Sequence, residues 1–389
     1  MNPLTKRRKL QSSKPGKVLS KKNIDILRFP NEIIIQIFSF LSVSECLIVR
    51  EITTNGTILA KLIDTSIYDR VIVYRNQTSR SFLKNRYYKK PYEVVDEGRL
   101  YELISNSNII HEHIKPHRFV LSFTANPHNQ NRREEEAFMN VFGNSFLKYG
   151  DYFRRAIKFE LYMDLGNRDP PKKEKLEIQF LQRLLGSGDL QHNLSTLNIV
   201  KGQNYVNTEK NEILDLLHNT LSSFRNLDAL FLSTNNLQNI EGLNYPDSLR
   251  SLDLICNMIV QLPKDTLWLP PNLKYINLSC NEITSLEGVV FPDTIEYIDI
   301  QLNTITSLSN VKFPRNLKTL IACGNEILIE ENIVIDLPSC LEVLNLLQNP
   351  FKNDLSSFRI PNSIRKIYFD AHLKEVNSFH ENNHIVVYY

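Results

Sequence analysis

From residue 227 onward apolar side chains recur in a fixed frame. Leu227, Leu230, Leu232, Leu237 and Ile240 stand at offsets 0, 3, 5, 10 and 13, with Asn235 at offset 8. The frame returns from Leu249, Leu273 and Ile295, more loosely from Leu317 and Leu341, and in degraded form from Ile364. Successive copies start 22, 24, 22, 22, 24 and 23 residues apart. A strand alternates faces residue by residue, so offsets 3 and 5 point into a core and offsets 2, 4 and 6 point away from it. The Asn column (235, 257, 281, 303, 325, 349) falls where the chain turns out of each strand, and a side-chain amide there can satisfy backbone groups that the turn leaves unpaired. A proline (246, 270, 292, 314, 338, 361) precedes each strand from the second copy on and favours an extended entry.

This period lies within the range of leucine-rich repeats, each of which buries its apolar face only against its neighbours. The frame extends weakly upstream through Tyr68, Val71, Val73 and Asn76, then Arg118, Leu121, Phe123 and Asn126, and through the partial matches Phe159/Leu161 and Leu194/Leu197/Ile199. The longer intervals there carry apolar residues at helical spacing over 98–110, 134–148, 174–185 and 209–221. The expected fold class is therefore α/β. Irregular long repeats over 66–225 carry helices on the convex face, regular nearly helix-free repeats follow over 226–372, a C-terminal cap spans 373–389, and parallel strands line the concave face of a solenoid over 66–389.

Residues 28–52, RFPNEIIIQIFSFLSVSECLIVREI, are densely apolar at helical spacing. Pro30 sits where a first turn tolerates it, and Ser42 or Ser44 can cap a second helix. Short helices with apolar residues on more than one face need a partner. Phe29, Pro30, Glu32, Ile33, Ile37, Phe38, Leu41, Ser42, Glu45, Leu47, Arg50, Ile52 and Thr53 resemble an F-box, with Cys46 where leucine is usual and no tryptophan after Thr53. An F-box ahead of leucine-rich repeats resembles one F-box subfamily. That resemblance implies a non-catalytic substrate receptor of an SCF (cullin-RING) ubiquitin ligase. The helical domain at 23–65 would dock on the adaptor of the Skp family, and through it the cullin, by Phe29, Pro30, Ile33, Ile37, Phe38, Leu41 and Leu47. The other reading of the segment is a capping helix pair. The late repeats, NNLQNIEGL and NEITSLEGV, also resemble those of nuclear phosphatase-regulating proteins, which would make the chain a scaffold with no ubiquitin role.

Charge placement narrows the partners. The chain of 389 residues has a formal charge of +3, but residues 1–22 hold eight basic side chains and no acidic one. The remainder carries 38 Lys and Arg against 43 Asp and Glu, a net of −5. A body of that charge argues against a nucleic-acid binder. The basic tail, expected to be disordered, resembles a nuclear import signal, so the expected location is nuclear or cytoplasmic. No apolar run approaches the length of a membrane span. Five cysteines without a CxxC pair disfavour a disulfide framework or a zinc site, and Cys256 and Cys280, each just before a repeat Asn, are expected to be buried neighbours. The cluster His111, His113 and His117 reads as a loop. With no phosphate loop, HExxH or nucleophile elbow, neither cofactor, metal nor catalysis is expected.

A protein target would meet the outward columns of the strands. Offset 4 gives Phe231, Asp253, Asn277, Asp299, Ile321, Asn345 and Tyr368, and offset 2 contributes Tyr275 and Tyr297. Two tyrosines flanked by acids make an amphipathic patch suited to a basic or hydroxyl-rich segment. The same residues could instead pack laterally along the sheet.

Overall fold

A computed structural model describes residues 30–39, 41, 46, 49, 52–53, 57–68, 71–75, 92–95, 118–124, 156, 158–164, 176–186, 188, 190–200, 211–264, 268–328, 334–351, 358–370 and 386–388. The chain divides into two units, Met1–Ser66 and Ile67–Tyr389. The basic tail, Phe29, Leu47, the capping serines 42 and 44, the helices expected over 98–110 and 134–148, and the histidine cluster lie outside the described residues.

In the first unit α1 (Asn31–Ser39) starts directly after Pro30, whose carbonyl accepts from the Ile33 and Ile34 amides at 3.0 and 3.1 Å. Ile34 and Phe38, four residues apart, are buried on one face. At the other end, the buried Cys46 thiol donates to the Phe38 carbonyl at 3.4 Å, satisfying one of the acceptors a helix leaves open at its C-terminus. The cysteine that departs from the box pattern thus has a structural use. Thr57 caps α2 (Ile58–Tyr68) through its hydroxyl, which accepts from the Ala60 amide.

The second unit is built on one sheet in which every pairing is parallel. Its strands are β1 (Val71–Arg75), β2 (Tyr92–Val95), β3 (Arg118–Thr124), β4 (Lys158–Asp164), β5 (Leu194–Val200), β6 (Ala229–Phe231), β7 (Ser251–Asp253), β8 (Tyr275–Asn277), β9 (Tyr297–Asp299), β10 (Thr319–Ile321), β12 (Val343–Asn345), β14 (Lys366–Tyr368) and β15 (Val386–Tyr388). Between them, β11 (Ile335–Asp336) pairs only with β13 (Phe358–Arg359), apart from the main sheet. Neighbours in the sheet follow chain order, except that β2 lies outside β1 at the edge. The upstream frame misses β2 and starts at Tyr68, which proves to be the last residue of α2; the strand begins at Val71. At the far end the segment expected to cap the array adds β15, in register with β14. Two described helices precede the regular repeats, α3 (Leu176–Gly186) and α4 (Glu212–Thr220). Asn211 caps α4 by accepting from the Ile213 and Leu214 amides, while Ile213, Leu216, Leu217 and Thr220 turn inward.

The core of the regular repeats is the frame itself. At offsets 0, 3, 5 and 10, every residue from Leu227 to Leu346 is fully buried. Each proline opens a reverse turn: the Pro246, Pro270, Pro292, Pro314, Pro338 and Pro361 carbonyls accept from the amide three residues on, at 3.0–3.2 Å. Chain reversal rather than a merely extended entry therefore delivers each strand.

The Asn column joins one coil to the next. Asn281 is typical: its Oδ1 accepts from the Ile259 amide of the preceding coil at 3.1 Å. Its Nδ2 donates to the carbonyls of Leu254 in that coil and Leu278 in its own, at 3.0 and 2.9 Å. Asn257, Asn303, Asn325 and Asn349 repeat both halves of this pattern. Immediately before each Asn the backbone is left-handed, with φ of 53–62° at Thr234, Cys256, Cys280, Leu302, Gly324 and Gln348. That turn costs a non-glycine residue about 1–2 kcal/mol. It lets the turn amide reach the next coil, as Cys256 N–H reaches Ser279 O at 3.0 Å and Cys280 N–H reaches Gln301 O at 2.9 Å. Cys256 and Cys280 do adjoin, but this position leaves them half-buried rather than buried. At Gly324 an added Cβ would stand 2.7 Å from the Leu302 side chain.

Replacing Asn281 by alanine should leave the buried Ile259 amide without a partner and lower the stability of the repeats by about 2–3 kcal/mol, read from urea unfolding. A loss well below about 1 kcal/mol would show that the column is not what joins the coils.

Candidate functional site: the open face of the sheet

Offsets 2 and 4 form two continuous rows on the face opposite the core. Register pairs Ala229, Ser251, Tyr275, Tyr297, Thr319, Val343 and Lys366 in one row, and Phe231, Asp253, Asn277, Asp299, Ile321, Asn345 and Tyr368 in the other. The structure thus brings all nine residues expected on the concave face into two adjacent rows. They are not equally accessible. Phe231, Asp253, Tyr275, Tyr297, Ile321, Asn345 and Tyr368 are half-buried, whereas Asn277 and Asp299 are 7% and 5% exposed.

At the centre the rings of Tyr275 and Tyr297 stack, centroids 4.6 Å apart and planes 15° from parallel. Lateral packing and an outward face are both realised there. The Tyr297 hydroxyl donates to Asp299 Oδ2 at 3.4 Å, and Asn277 Nδ2 points to the Tyr275 hydroxyl at 3.5 Å. Offset 4 also has a backbone duty that its outward position does not reveal. Asp253, Asn277, Asp299 and Asn345 each accept, through Oδ1, the amide two residues on (Ile255, Ser279, Gln301, Leu347) at 2.9–3.1 Å. These Asx turns hold the strand exit just ahead of the left-handed residue.

Burial pushes the Asp253 and Asp299 carboxyls above the ordinary carboxylate value, and the backbone bonds only partly offset it. Asp299 is raised further by the charge of Asp253. Burial, then the Asp253 charge, raises the Tyr275 hydroxyl as well. Close by, burial and the Cys256 thiol raise Cys280 to about 11, which keeps it protonated at neutral pH and a poor nucleophile.

A second charge pattern, not read from the sequence, runs along offset 1. Arg250 pairs with Asp228 at 2.9 Å, Glu296 with both Lys274 (3.2 Å) and Lys318 (2.7 Å), and Arg365 with Glu342 (3.5 Å). The two lysines hold the Glu296 carboxyl below its usual value. Period-22 spacing of opposite charges was the available signal.

Residues 247–294 match the leucine-rich repeat family. The parallel sheet with few helices fits a leucine-rich-repeat solenoid around that segment. No curated protein matches the chain significantly. Among solved structures, internalin InlF of Listeria monocytogenes is 14% identical over 77% of this chain and 78% of that one, with a TM-score of 0.45. Internalin C2 of the same organism is 19% identical over 51% of this chain and 88% of its own, at a TM-score of 0.38. The TLR13–ssRNA13 complex is 15% identical over 79% of this chain and 37% of that one, at 0.42. Among the described residues no group of three or more metal-binding side chains converges, and no helix is long and apolar enough to cross a membrane.

The residues expected to dock an adaptor divide sharply. Pro30, Ile33 and Ile37 are exposed, the two isoleucines by 41% and 40%, and Leu41 is half-buried. Phe38 is 4% exposed, so it belongs to the packing of α1 and not to an accessible surface. Sequence spacing could not separate them, because α1 is apolar on both faces.

Raised carboxyl values mean that Asp253 and Asp299 favour the fold while protonated and oppose it as pH rises through their folded-state values. Asp253→Asn with Asp299→Asn, which retains both Asx acceptors, should therefore raise the urea midpoint at pH 7. That advantage should shrink as pH falls toward the ordinary aspartate value of 3.8. A double variant less stable than the parent at pH 7 would contradict this.

Proposed function

We propose that the chain is the substrate-receptor subunit of an SCF-type cullin-RING ubiquitin ligase, with no catalytic residue of its own. A leucine-rich-repeat solenoid is a protein-interaction scaffold, and its open face would hold the target. The helices of the first unit would dock on the Skp-family adaptor, and the basic tail would direct the protein to the nucleus. Catalysis is then a matter of proximity, a target lysine being held near a loaded conjugating enzyme.

The observation that carries this reading is the face of α1 that stays open. Ile33 and Ile37 are one helical turn apart and exposed beside an exposed Pro30, while Ile34 and Phe38 fill the adjoining face, about 100° round the helix. Ile52 and Ile58, also in the first unit, are 83% and 64% exposed. Large aliphatic side chains left in water over so short a stretch suit an interface that another chain covers. The resemblance of the segment to an F-box names the partner.

Because both isoleucines are exposed, Ile33→Ala with Ile37→Ala should leave the melting temperature essentially unchanged. Recovery of the Skp-family adaptor by affinity purification of the full chain should fall at least tenfold. Unchanged adaptor recovery, or none with the parent protein, would leave the solenoid a scaffold outside the ubiquitin system.

A further inference from the structure

Charges at the margin of the open face and the acids on it are treated in two different ways. Along offset 1 each one finds an opposite partner on the neighbouring coil. At offset 4, Asp253 and Asp299 face no described cation: their register neighbours are Phe231, Asn277 and Ile321. Nor does the fold require their charge. Asn277 and Asn345, in the same row, make the same bond to the backbone amide two residues on with a neutral amide. An aspartate there adds only an ionised group in a partly dehydrated place, which works against the solenoid. Tyr297 and Gln301 engage the second oxygen of Asp299, whereas the bonds that Asp253 accepts from Ile255 N–H and Ser233 Oγ both fall on Oδ1, so it is the Asp253 charge that is available to a ligand.

The surroundings of Asp253 define that ligand. Tyr297 covers one ring face of Tyr275. The other face looks toward the preceding coil, where its register partner is Ser251, too small to cover it. Asp253 stands two residues beyond Ser251 on the same side of the sheet, is half-exposed, and lies close enough for its charge to act on the Tyr275 hydroxyl, so a carboxylate stands on the side of the ring that Tyr297 does not stack on. A planar guanidinium matches both elements, lying on the ring while giving its donors to the carboxylate. An ammonium is compact and strongly hydrated and matches only the carboxylate.

We propose that Asp253 and Tyr275 bind an arginine side chain of an extended segment in the protein partner. A segment running across the strands would span β7 to β9, two strand spacings or roughly 10 Å, in about three residues of extended chain. Asp299, nearly buried beneath this path, adds negative potential without direct contact. The proposal rests on the reading that the open face receives the partner; it does not depend on the adaptor.

The test is selection of a random twelve-residue peptide library displayed on phage against the full-length protein, in parallel with Asp253→Asn. Peptides enriched on the parent should share an arginine at one position and fail to enrich on the variant. A synthetic consensus peptide should bind Asp253→Asn and Tyr275→Ala at least tenfold more weakly than the parent, and exchanging its arginine for lysine should weaken it comparably. A melting temperature of Asp253→Asn no lower than the parent's confirms that the fold is intact. Enrichment without arginine, a lysine consensus, no enrichment, or equal enrichment on the variant would overturn the proposal. Neither readout involves the adaptor, so this result and the adaptor recovery can fail separately.

Discussion

A coil of 22–24 residues must turn out of its strand inside a packed stack, where water cannot serve the backbone groups that the turn exposes. Everything regular about the second unit answers that constraint. One asparagine per coil supplies an acceptor to the coil before it and donors to two carbonyls, as Asn281 does for Ile259, Leu254 and Leu278. For these bonds to form, the coils must stay in phase, and the residue before the asparagine must be left-handed even where it is Leu302 or Gln348. The backbone cost of those turns, about 1–2 kcal/mol each, is offset by buried amides that would otherwise go unpaired.

Phase carries the outward rows with it. Strands held in register place Tyr275 against Tyr297 and repeat Asp253, Asn277 and Asp299 along one line. The ion pairs of offset 1 add little stability, being exposed, but they neutralise the margin of the face. On the outward rows at offsets 2 and 4 of the regular repeats the two described acids, Asp253 and Asp299, lie at the tyrosine pair, with Lys366 at the far end of the offset-2 row. The solenoid therefore presents a short, chemically defined strip and not a broadly acidic surface, consistent with a body of net charge −5 spread over hundreds of residues.

Much of this was legible in the residues. Strand positions from Leu227 onward, the inward pairs at offsets 3 and 5, the outward rows and the structural use of the asparagine all follow from the period, because a repeat that contacts only its neighbours must reuse the same side chains. The left-handed column was not legible, since Cys256, Cys280, Leu302 and Gln348 carry no glycine signal. The Asx role of Asp253 and Asp299 was hidden because the same side chains also face outward. β2 and β15 escaped notice because Tyr92–Val95 and Val386–Tyr388 are short and lack the repeat asparagine. In α1, an apolar arc reaching more than half-way round the helix concealed that Phe38 is buried while Ile33 and Ile37 are open.

The most direct measurement of the inter-coil bonding is native-state hydrogen exchange at the Ile259, Ile283, Ile305 and Ile327 amides, each donated to the asparagine of the following coil. If the asparagine column makes the regular repeats one cooperative stack, these four amides exchange only through the opening that frees the inter-coil amides of Leu254 and Leu278, with the same free energy and the same denaturant dependence. Exchange at any of them through a separate, low-energy local opening would contradict the account.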